Sequence, residues 1–451
     1  RAVWVLDEMS MLDVKLAKQF FNDMEHVATQ EGARDDHCLH VVLCGDFDQI
    51  PPVGSKMIID PSIGNAAQTG PASASKKRFD LLESMWAAPR FRLQQHPRGR
   101  CHPDHQAALQ EYLEEPQKLY EHFRDAGSED SRVKPLAQSD FENDPRFLLC
   151  PVVVKTNQQR NVYNKSRARC YAWTVKRPLF RWWCEVPGLA SMGDAKFMKS
   201  FQNSFPALQN GFVRGAPCIL TSNLCPALGL SNGSVGNFVA LVFDVDHEKD
   251  CLDFMREHEA RAAGTDEVID VTLPYPPIAA VIRVGDTDVM VPSGKIELKT
   301  TTKHGQESNT SVLYRDVQVT LGFACTFFRV QGQGHPLIIV DRLTHGSIVQ
   351  APRFSEYYVV QSRVAQADHL RVVGPTFDET KSGAKKTTAF VRPDFVQYYA
   401  EGKSLEELRA KRRDDEVTAA KEKAAEKLAP KAGKKGPKQP PQPPPAQAQK
   451  K

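Results

Sequence analysis

Short apolar runs and helically spaced apolar positions alternate at the start of the chain. Ala2 to Leu6 is an apolar run suited to a fully buried parallel strand. Ser10 is placed to cap a helix whose apolar positions, Leu12, Leu16, Phe20, Met24 and Val27, recur at helical spacing, with Gly32 to close it. Leu39 to Leu43 is a second strand of the buried type, ending at Gly45 and Asp46. Strand, helix, strand predicts an α/β unit with a parallel sheet, whose chemistry lies beyond the carboxyl ends of the strands. Asp7-Glu8 and Asp46-Asp48 fall at those ends.

Residues 54 to 78 read as a loop. A second α/β pattern comes after it, with a strand over Phe147 to Cys150 and a polar helix near Gln158 to Arg169. From 232 to 312 the texture becomes β-branched: Ala279 to Val284 and Asp288 to Val291 flank Gly285 as a hairpin, and Lys299 to Ser311 reads as a polar loop. This predicts a β module inserted into the second α/β domain, which resumes at Val317 to Phe323. Past 376 the core pattern fades. Ser404 with Glu407 makes a capping box for a charged helix, and residues 430 to 451, with seven prolines and no acid, predict a disordered tail.

At 451 residues the chain has room for two to four domains, and 41% hydrophobic with 25% charged residues excludes wholesale disorder or a fibre. No apolar run approaches the ~18 residues of a spanning helix, so no membrane role is expected. Ten scattered cysteines without a C-x-x-C pair predict neither a zinc ribbon nor a disulfide framework and fit a reducing, intracellular setting. Residues 401 to 451 hold 14 Lys and Arg against 8 Asp and Glu, which leaves the first 400 residues at a net charge of −2. Basic surface on the body must therefore be local.

Chemistry concentrates in two runs. Val3-Trp4-Val5-Leu6-Asp7-Glu8 carries a strand into two carboxylates, one able to hold Mg²⁺ and the other to orient and deprotonate an attacking water. Val41 to Val53 reads VVLCGDFDQIPPV, where Gly45 permits a tight exit, Gln49 offers an amide to a γ-phosphate or water, and Pro51-Pro52 stiffens the onward path of the backbone.

In these runs the chain resembles DNA helicases of the petite-integration-frequency (PIF) type, relatives of RecD and phage Dda in superfamily one, branch B. VLDEMSMLD resembles their Walker B motif and GDFDQIPPV their motif III; Leu93 to Arg98 is similar to motif IV, and CPVVVKTNQQRNVYN to a later segment through Asn157 and Asn164. GAPCILTSNLCPALGLSNGSVG resembles the approach to the β insert through Gly215, Asn223, Gly229, Asn232 and Gly233. LGFACTFFRVQGQG resembles motif V, and YYVVQSRVAQADHL motif VI with Ser362 and Arg363.

The resemblance implies an α/β fold of two RecA-like P-loop NTPase lobes, the first incomplete. Residues 1–90 would belong to domain 1A, 91–231 and 313–375 to domain 2A, 232–312 to an SH3-like insert, and 376–451 to a charged helix and tail. It implies ATP and Mg²⁺ as cofactors, with Asp7 on the metal, Asp7, Glu8, Gln49, Arg98 and Arg363 in catalysis, and Asp46 and Gly332 beside the nucleotide. Asn157, Thr326, Phe328, Arg329 and Gln331 would touch single-stranded DNA. The implied activity is 5′-to-3′ translocation and unwinding at duplex junctions by a monomer, in repair, recombination and telomere or genome maintenance, in the nucleus or mitochondrion of a eukaryote.

Two departures stand out. The phosphate-binding loop G-x-x-x-x-G-K-[ST] does not occur in these residues. A chain opening with Arg inside a strand predicts a missing upstream segment, and this piece alone is expected to be inactive. Gly402-Lys403-Ser404 imitates the loop's end but reads as a cap. In motif V, Phe328-Arg329 replaces His-Lys; Phe328 offers a ring to stack on a base or a packed position, and Arg329 keeps a charge near phosphate. The stretch Trp173, Arg177, Phe180, Arg181, Trp182 and Trp183 interleaves aromatic and basic groups, as a stacking platform or as core. Two other classes compete: a non-catalytic DNA-binding or scaffold subunit built on a decayed helicase, and an acid-cluster nuclease using Asp7, Glu8, Asp46 and Asp48.

Overall fold

The computed structural model describes residues 3–30, 40–52, 56–62, 82–83, 85–88, 90, 101–186, 208–301, 307–341, 354–374 and 392–428. At its start β1 (Val3–Leu6) and β2 (His40–Leu43) pair in parallel around the helix α1 (Val14–Gln30), the strand-helix-strand unit the pattern predicts. Two details differ. The backbone N–H of Leu16 donates to Asp13 Oδ1 at 2.7 Å, so Asp13 caps α1, while Ser10 is buried in a 3₁₀ turn over Met9–Met11. Among the described residues each strand has one neighbour, and Trp4, Val5 and Val42 stand exposed rather than buried.

The second lobe begins with α2 (Pro103–Glu114) and α3 (Pro116–Arg124), each with proline in its first turn, where the missing N–H removes no helical bond. Next come β3 (Lys134–Pro135), β4 (Val152–Val154) and α4 (Asn157–Thr174). The strand expected at Phe147 to Cys150 is a 3₁₀ turn, Pro145–Leu148, because Asp144 accepts the N–H of Arg146 and Pro145 fixes the turn; the strand starts past Pro151.

A β-rich region then extends further than the sequence pattern implies. β5 (Leu179–Trp183), β6 (Gln209–Phe212), β7 (Pro217–Leu220) and β8 (Val235–Val242) lead into the helix α5 (Glu248–Ala263), which the β-branched texture concealed. Glu248 and Asp250 open α5 favourably, and Cys251 and Met255 bury its inner face. β9 (Asp270–Thr272), β10 (Ala279–Val284), β11 (Thr287–Thr301), β12 (Glu307–Val317) and β13 (Val319–Leu321) complete the region. The order β12-β11-β10-β8-β7-β13 is antiparallel throughout, and β5, β6 and β9 form a separate sheet. Gly285 turns the β10–β11 hairpin at φ +59, in line with its place in the sequence pattern. Much of the expected polar loop at Lys299 to Ser311 is instead paired strand, Lys299 opposite Ser311, and β13 joins this sheet rather than resuming the α/β lobe.

The lobe resumes with β14 (Ala324–Thr326), α6 (Phe327–Val330), β15 (Ile338–Asp341), α7 (Phe354–Gln361) and β16 (Leu370–Val373). The five strands β14-β4-β15-β16-β3 are all parallel. Alternate residues feed two cores: Val153, Ile338 and Val340 on one face, Val152, Val154 and Ile339 on the other, as a doubly covered parallel sheet requires. The architecture is mixed α/β with parallel sheets.

Finally α8 (Asp394–Ala400) and α9 (Leu405–Leu428) return to the first lobe. Val396 packs with Met9, Phe47 and Met57, and Leu405 and Leu408 pack with Leu82 and Trp86. The core thus extends beyond 376, where the sequence pattern fades. The proline-rich segment read as disordered lies outside the described residues. Ser404 and Glu407 do form a capping box, with N–H to side-chain oxygen distances of 2.6 and 3.2 Å, which fits Gly402-Lys403-Ser404 as a cap.

Candidate functional site

The carboxyl ends of β1 and β2 are knitted by backbone bonds from Cys44 N to Leu6 O at 2.8 Å and Met9 N to Cys44 O at 2.9 Å. A Cβ on Gly45 would stand 3.0 Å from the backbone nitrogens of Met9 and Ser10, so only glycine allows this approach. Asp7 and Glu8 emerge there, the Glu8 N–H donating to Asp7 Oδ1 at 2.8 Å. Glu8 adopts the left-handed region at φ 55 and ψ 37.

Asp46 organises the next loop. Its carboxylate accepts the N–H of Asp48 at 3.0 Å and the Gln49 side-chain amide at 3.2 Å. A carboxylate accepts only, so Gln49 must turn its NH₂ inward, and its Oε1 is left buried with no partner among the described residues. That oxygen suits a water or another donor. Asp48 is held on both oxygens by Arg392, at 2.5 and 2.7 Å, and Ile50 enters the core of the second lobe.

The second lobe answers from α6 and α7. Gln331 Nε2 donates to Glu8 Oε2 at 3.4 Å, and Gln331 Oε1 is also buried without a partner among the described residues. Gly332, at φ +78, brings its backbone so close that a Cβ would meet Glu8 Oε1 at 3.4 Å. Arg363 is buried, its Nε donating to Ser362 Oγ at 3.1 Å and Val359 O at 3.3 Å. Burial pushes the Tyr358 hydroxyl well above its usual range; Asp46 and Asp48 push the same way, and Arg392 and Arg363 oppose them. Those four charges act on one side chain. Thus Glu8 meets Gln331 and Gly332 between the lobes, Gln49 is held by Asp46, and Asp46 and Arg363 both act on Tyr358, while Asp7 is exposed. Arg98 lies outside the described residues.

Candidate strand contacts are spread along the same lobe. Asn157 is exposed at the first position of α4, behind a Thr156–Gln159 capping box. Thr326 is half-buried at the head of α6, and Phe328 packs partly against the lobe's core, the second of the two uses open to it. Arg329 donates to Asn232 Oδ1 at 2.8 Å and Leu220 O at 3.3 Å, while Asn223 accepts the Asn232 N–H at 2.8 Å. The Asn-Gly run therefore works as a tie between α6 and the β region. In the aromatic-basic stretch, Phe180 and Trp182 are core, and Trp173 is exposed with its indole N–H on Asp266 O at 2.8 Å.

The residue that the sequence pattern did not single out is Arg392. The signal available for it was the apolar spacing Phe395, Val396, Tyr399, Leu405, Leu408 just after it.

Two acceptor carboxylates and two orphaned amide oxygens fit a hydrated Mg²⁺–nucleotide, since Mg²⁺ keeps most of its waters and leans on phosphate oxygens. Among the described residues there is no cluster of three or more His, Cys, Asp or Glu able to hold a metal alone, and no helix long and apolar enough to cross a membrane.

No family model matches the chain, and no curated protein matches it. Among solved structures it is similar to the Pif1 helicase from Candida albicans, at 17% identity and TM-score 0.44 over 88% of this chain and 76% of that one. It is similar also to the Pif1 helicase from Bacteroides in complex with ADP-AlF3 and ssDNA, at 13% identity and TM-score 0.43 over 88% and 75% of the two chains. Bacteroides Pif1 bound to ssDNA is similar at 14% identity and TM-score 0.41, over 89% and 76%.

Proposed function

We propose that the chain is the motor portion of an ATP-dependent DNA helicase that couples ATP hydrolysis to 5′-to-3′ movement on single-stranded DNA and unwinding at duplex junctions. The observation that supports this best is the junction itself: Glu8 of the first lobe touched by Gln331 and backed by Gly332 of the second, with Arg363 and Asp46 both acting on Tyr358. A structural carboxylate has no need of two orphaned amide oxygens beside it.

In this reading Asp7 holds the hydrated Mg²⁺ of the bound nucleotide. Glu8 accepts a proton from the attacking water, which Gln49 Oε1 orients. Arg363, with Arg98, reaches the transferring phosphoryl group and stabilises the charge that develops there. Gln331 links this chemistry to α6, whose head carries Thr326 toward the strand. Opening and closing of the two lobes would then step Asn157 and Thr326 along the DNA, serving repair, recombination or telomere maintenance.

Because the phosphate-binding loop does not occur in the 451 residues, turnover is measured on the product of the complete gene. Arg363→Ala should reduce strand-stimulated ATP turnover by about 10³ and leave oligonucleotide affinity within about twofold. Unchanged turnover would remove Arg363 from the site and the motor reading with it.

A further inference from the structure

Residues 329–333 touch two bodies at once. Toward the β region, Arg329 Nη2 donates to Asn232 Oδ1 at 2.8 Å and Nη1 to Leu220 O at 3.3 Å, and Gln333 Nε2 reaches Gly233 O at 3.5 Å. Toward the first lobe, Gln331 Nε2 donates to Glu8 Oε2 at 3.4 Å, and Gly332 runs against the other oxygen of the same carboxylate. Between these contacts Val330, with Phe327 one turn earlier, is buried in the core of the second lobe, so the run turns about a packed pivot. The far side of the clasp is built as firmly. Asn232 and Gly233 lie in the turn before β8: the Asn232 N–H donates to Asn223 Oδ1 at 2.8 Å, and the Gly233 N–H donates to Leu220 O at 2.9 Å, the same carbonyl that Arg329 uses. Gly233 takes φ +104, a conformation that suits glycine, and a Cβ there would stand 3.7 Å from Arg329 Nη1, so the guanidinium lies against the turn. A planar fork can hold a side-chain acceptor and a backbone acceptor together, as the point charge of a lysine cannot.

We propose that Arg329 is a positioning residue for the hydrolytic site: by clasping Asn232 and Leu220 it sets the run that holds Gln331 against Glu8, and so ties the placement of Glu8 to the β region. This role deepens the motor reading and rests on it. Hydrolysis depends on where Glu8 stands relative to the attacking water, and a misplacement of about 1 Å can cost about a hundredfold in rate. With Arg329 released, the run shifts about Val330, and the Gln331 to Glu8 bond, at 3.4 Å already long for a hydrogen bond, is lost.

The test follows ATP turnover with oligo-dT present, the KM for ATP, oligo-dT affinity by fluorescence anisotropy, and the melting midpoint, all in the complete gene product. Asn232 is exposed, so Asn232→Ala removes the acceptor without opening the core. It and Arg329→Gln should each lower kcat by about tenfold, with KM and oligo-dT affinity within about twofold of the parent. Asn232→Asp keeps an acceptor for Arg329 and should restore kcat, a rescue that a general loss of stability does not produce. Arg329→Lys keeps the charge without the fork and should fall as far as Arg329→Gln; full turnover there would overturn the clasp. In a Gln331→Ala background Arg329→Gln should cost no more than about twofold, because the link is already cut. A full-size loss in that background, or parental kcat in both Asn232→Ala and Arg329→Gln, would overturn the positioning role and leave the motor reading standing. A fall in oligo-dT affinity that Asn232→Ala does not share would make Arg329 a strand contact and overturn the role as well. Should Arg329→Gln melt early, the Asn232 pair decides: equal kcat in the Ala and Asp variants overturns the role, and recovery in Asp supports it. A parent without strand-stimulated turnover would overturn both readings.

Discussion

Glu8 carries the sharpest conflict between local comfort and chemistry. Its left-handed backbone costs a non-glycine residue about 1 kcal/mol or more, and the bonds from Cys44 to Leu6 and Met9 to Cys44 hold it there. Replacing the side chain separates the two effects. Glu8→Gly should raise the urea midpoint by the equivalent of about 1 kcal/mol and abolish strand-stimulated turnover in the complete gene product, whereas Glu8→Gln should abolish turnover without the gain. A lower midpoint for Glu8→Gly would mean the conformation is not strained. At this scale much of the candidate site is read from the sequence, because Asp7, Glu8, Asp46 and Gln49 sit in unbroken runs where strand, glycine and carboxylate succeed one another. Arg392 is not, since its meaning comes from Asp48, hundreds of positions away.

At the scale of elements, the α8–α9 pair shows what a fading pattern conceals. Phe395, Val396 and Tyr399, then Leu405 and Leu408, are sparse among charges, yet they complete a surface that Phe47, Met57, Met85 and Trp86 leave apolar. The missed helix α5 and the paired strands across Lys299 to Ser311 have related causes: one was masked by neighbouring β-branched residues, and the other is held by backbone pairing that polar side chains do not advertise. The hairpin at Gly285 and the box at Ser404 were legible because each is decided within a few residues. Asp394 fastens α8 to α9 through a bidentate pair with Arg412 at 2.6 and 2.8 Å, and that bond holds its carboxyl below the usual carboxylate range. A depressed pKa contributes stability above the ordinary value of about 4, lost as pH falls through the lowered one. Asp394→Asn should therefore melt earlier than the parent at pH 7, and the gap should close as pH drops below about 4. A gap of constant size across that range would show that the pair does not titrate with folding.

For the molecule as a whole, the loop from Asp46 to Ile50 is where three bodies meet. Gln49 answers to Asp46 in the first lobe, Ile50 is packed in the second, and Asp48 is gripped by Arg392 from the C-terminal segment. Both partners of that ion pair are about nine-tenths buried, with side-chain exposures of 11% and 9%. Such a pair adds little net stability over apolar packing, but removing one member takes from the other its bidentate partner, which costs up to about 3 to 5 kcal/mol. Asp48→Asn and Arg392→Gln should each lower the unfolding midpoint, and the double variant should lie above the sum of the two, since each single change already removes the bond between them. The same arithmetic reaches function. If Arg392 sets the loop that presents Gln49 Oε1, then Arg392→Gln should lower the turnover rate at saturating ATP while leaving oligo-dT affinity unchanged, in the complete gene product at a temperature where it remains folded. Additive losses in the cycle, with turnover untouched, would reduce the C-terminal helices to a passive brace on the first lobe.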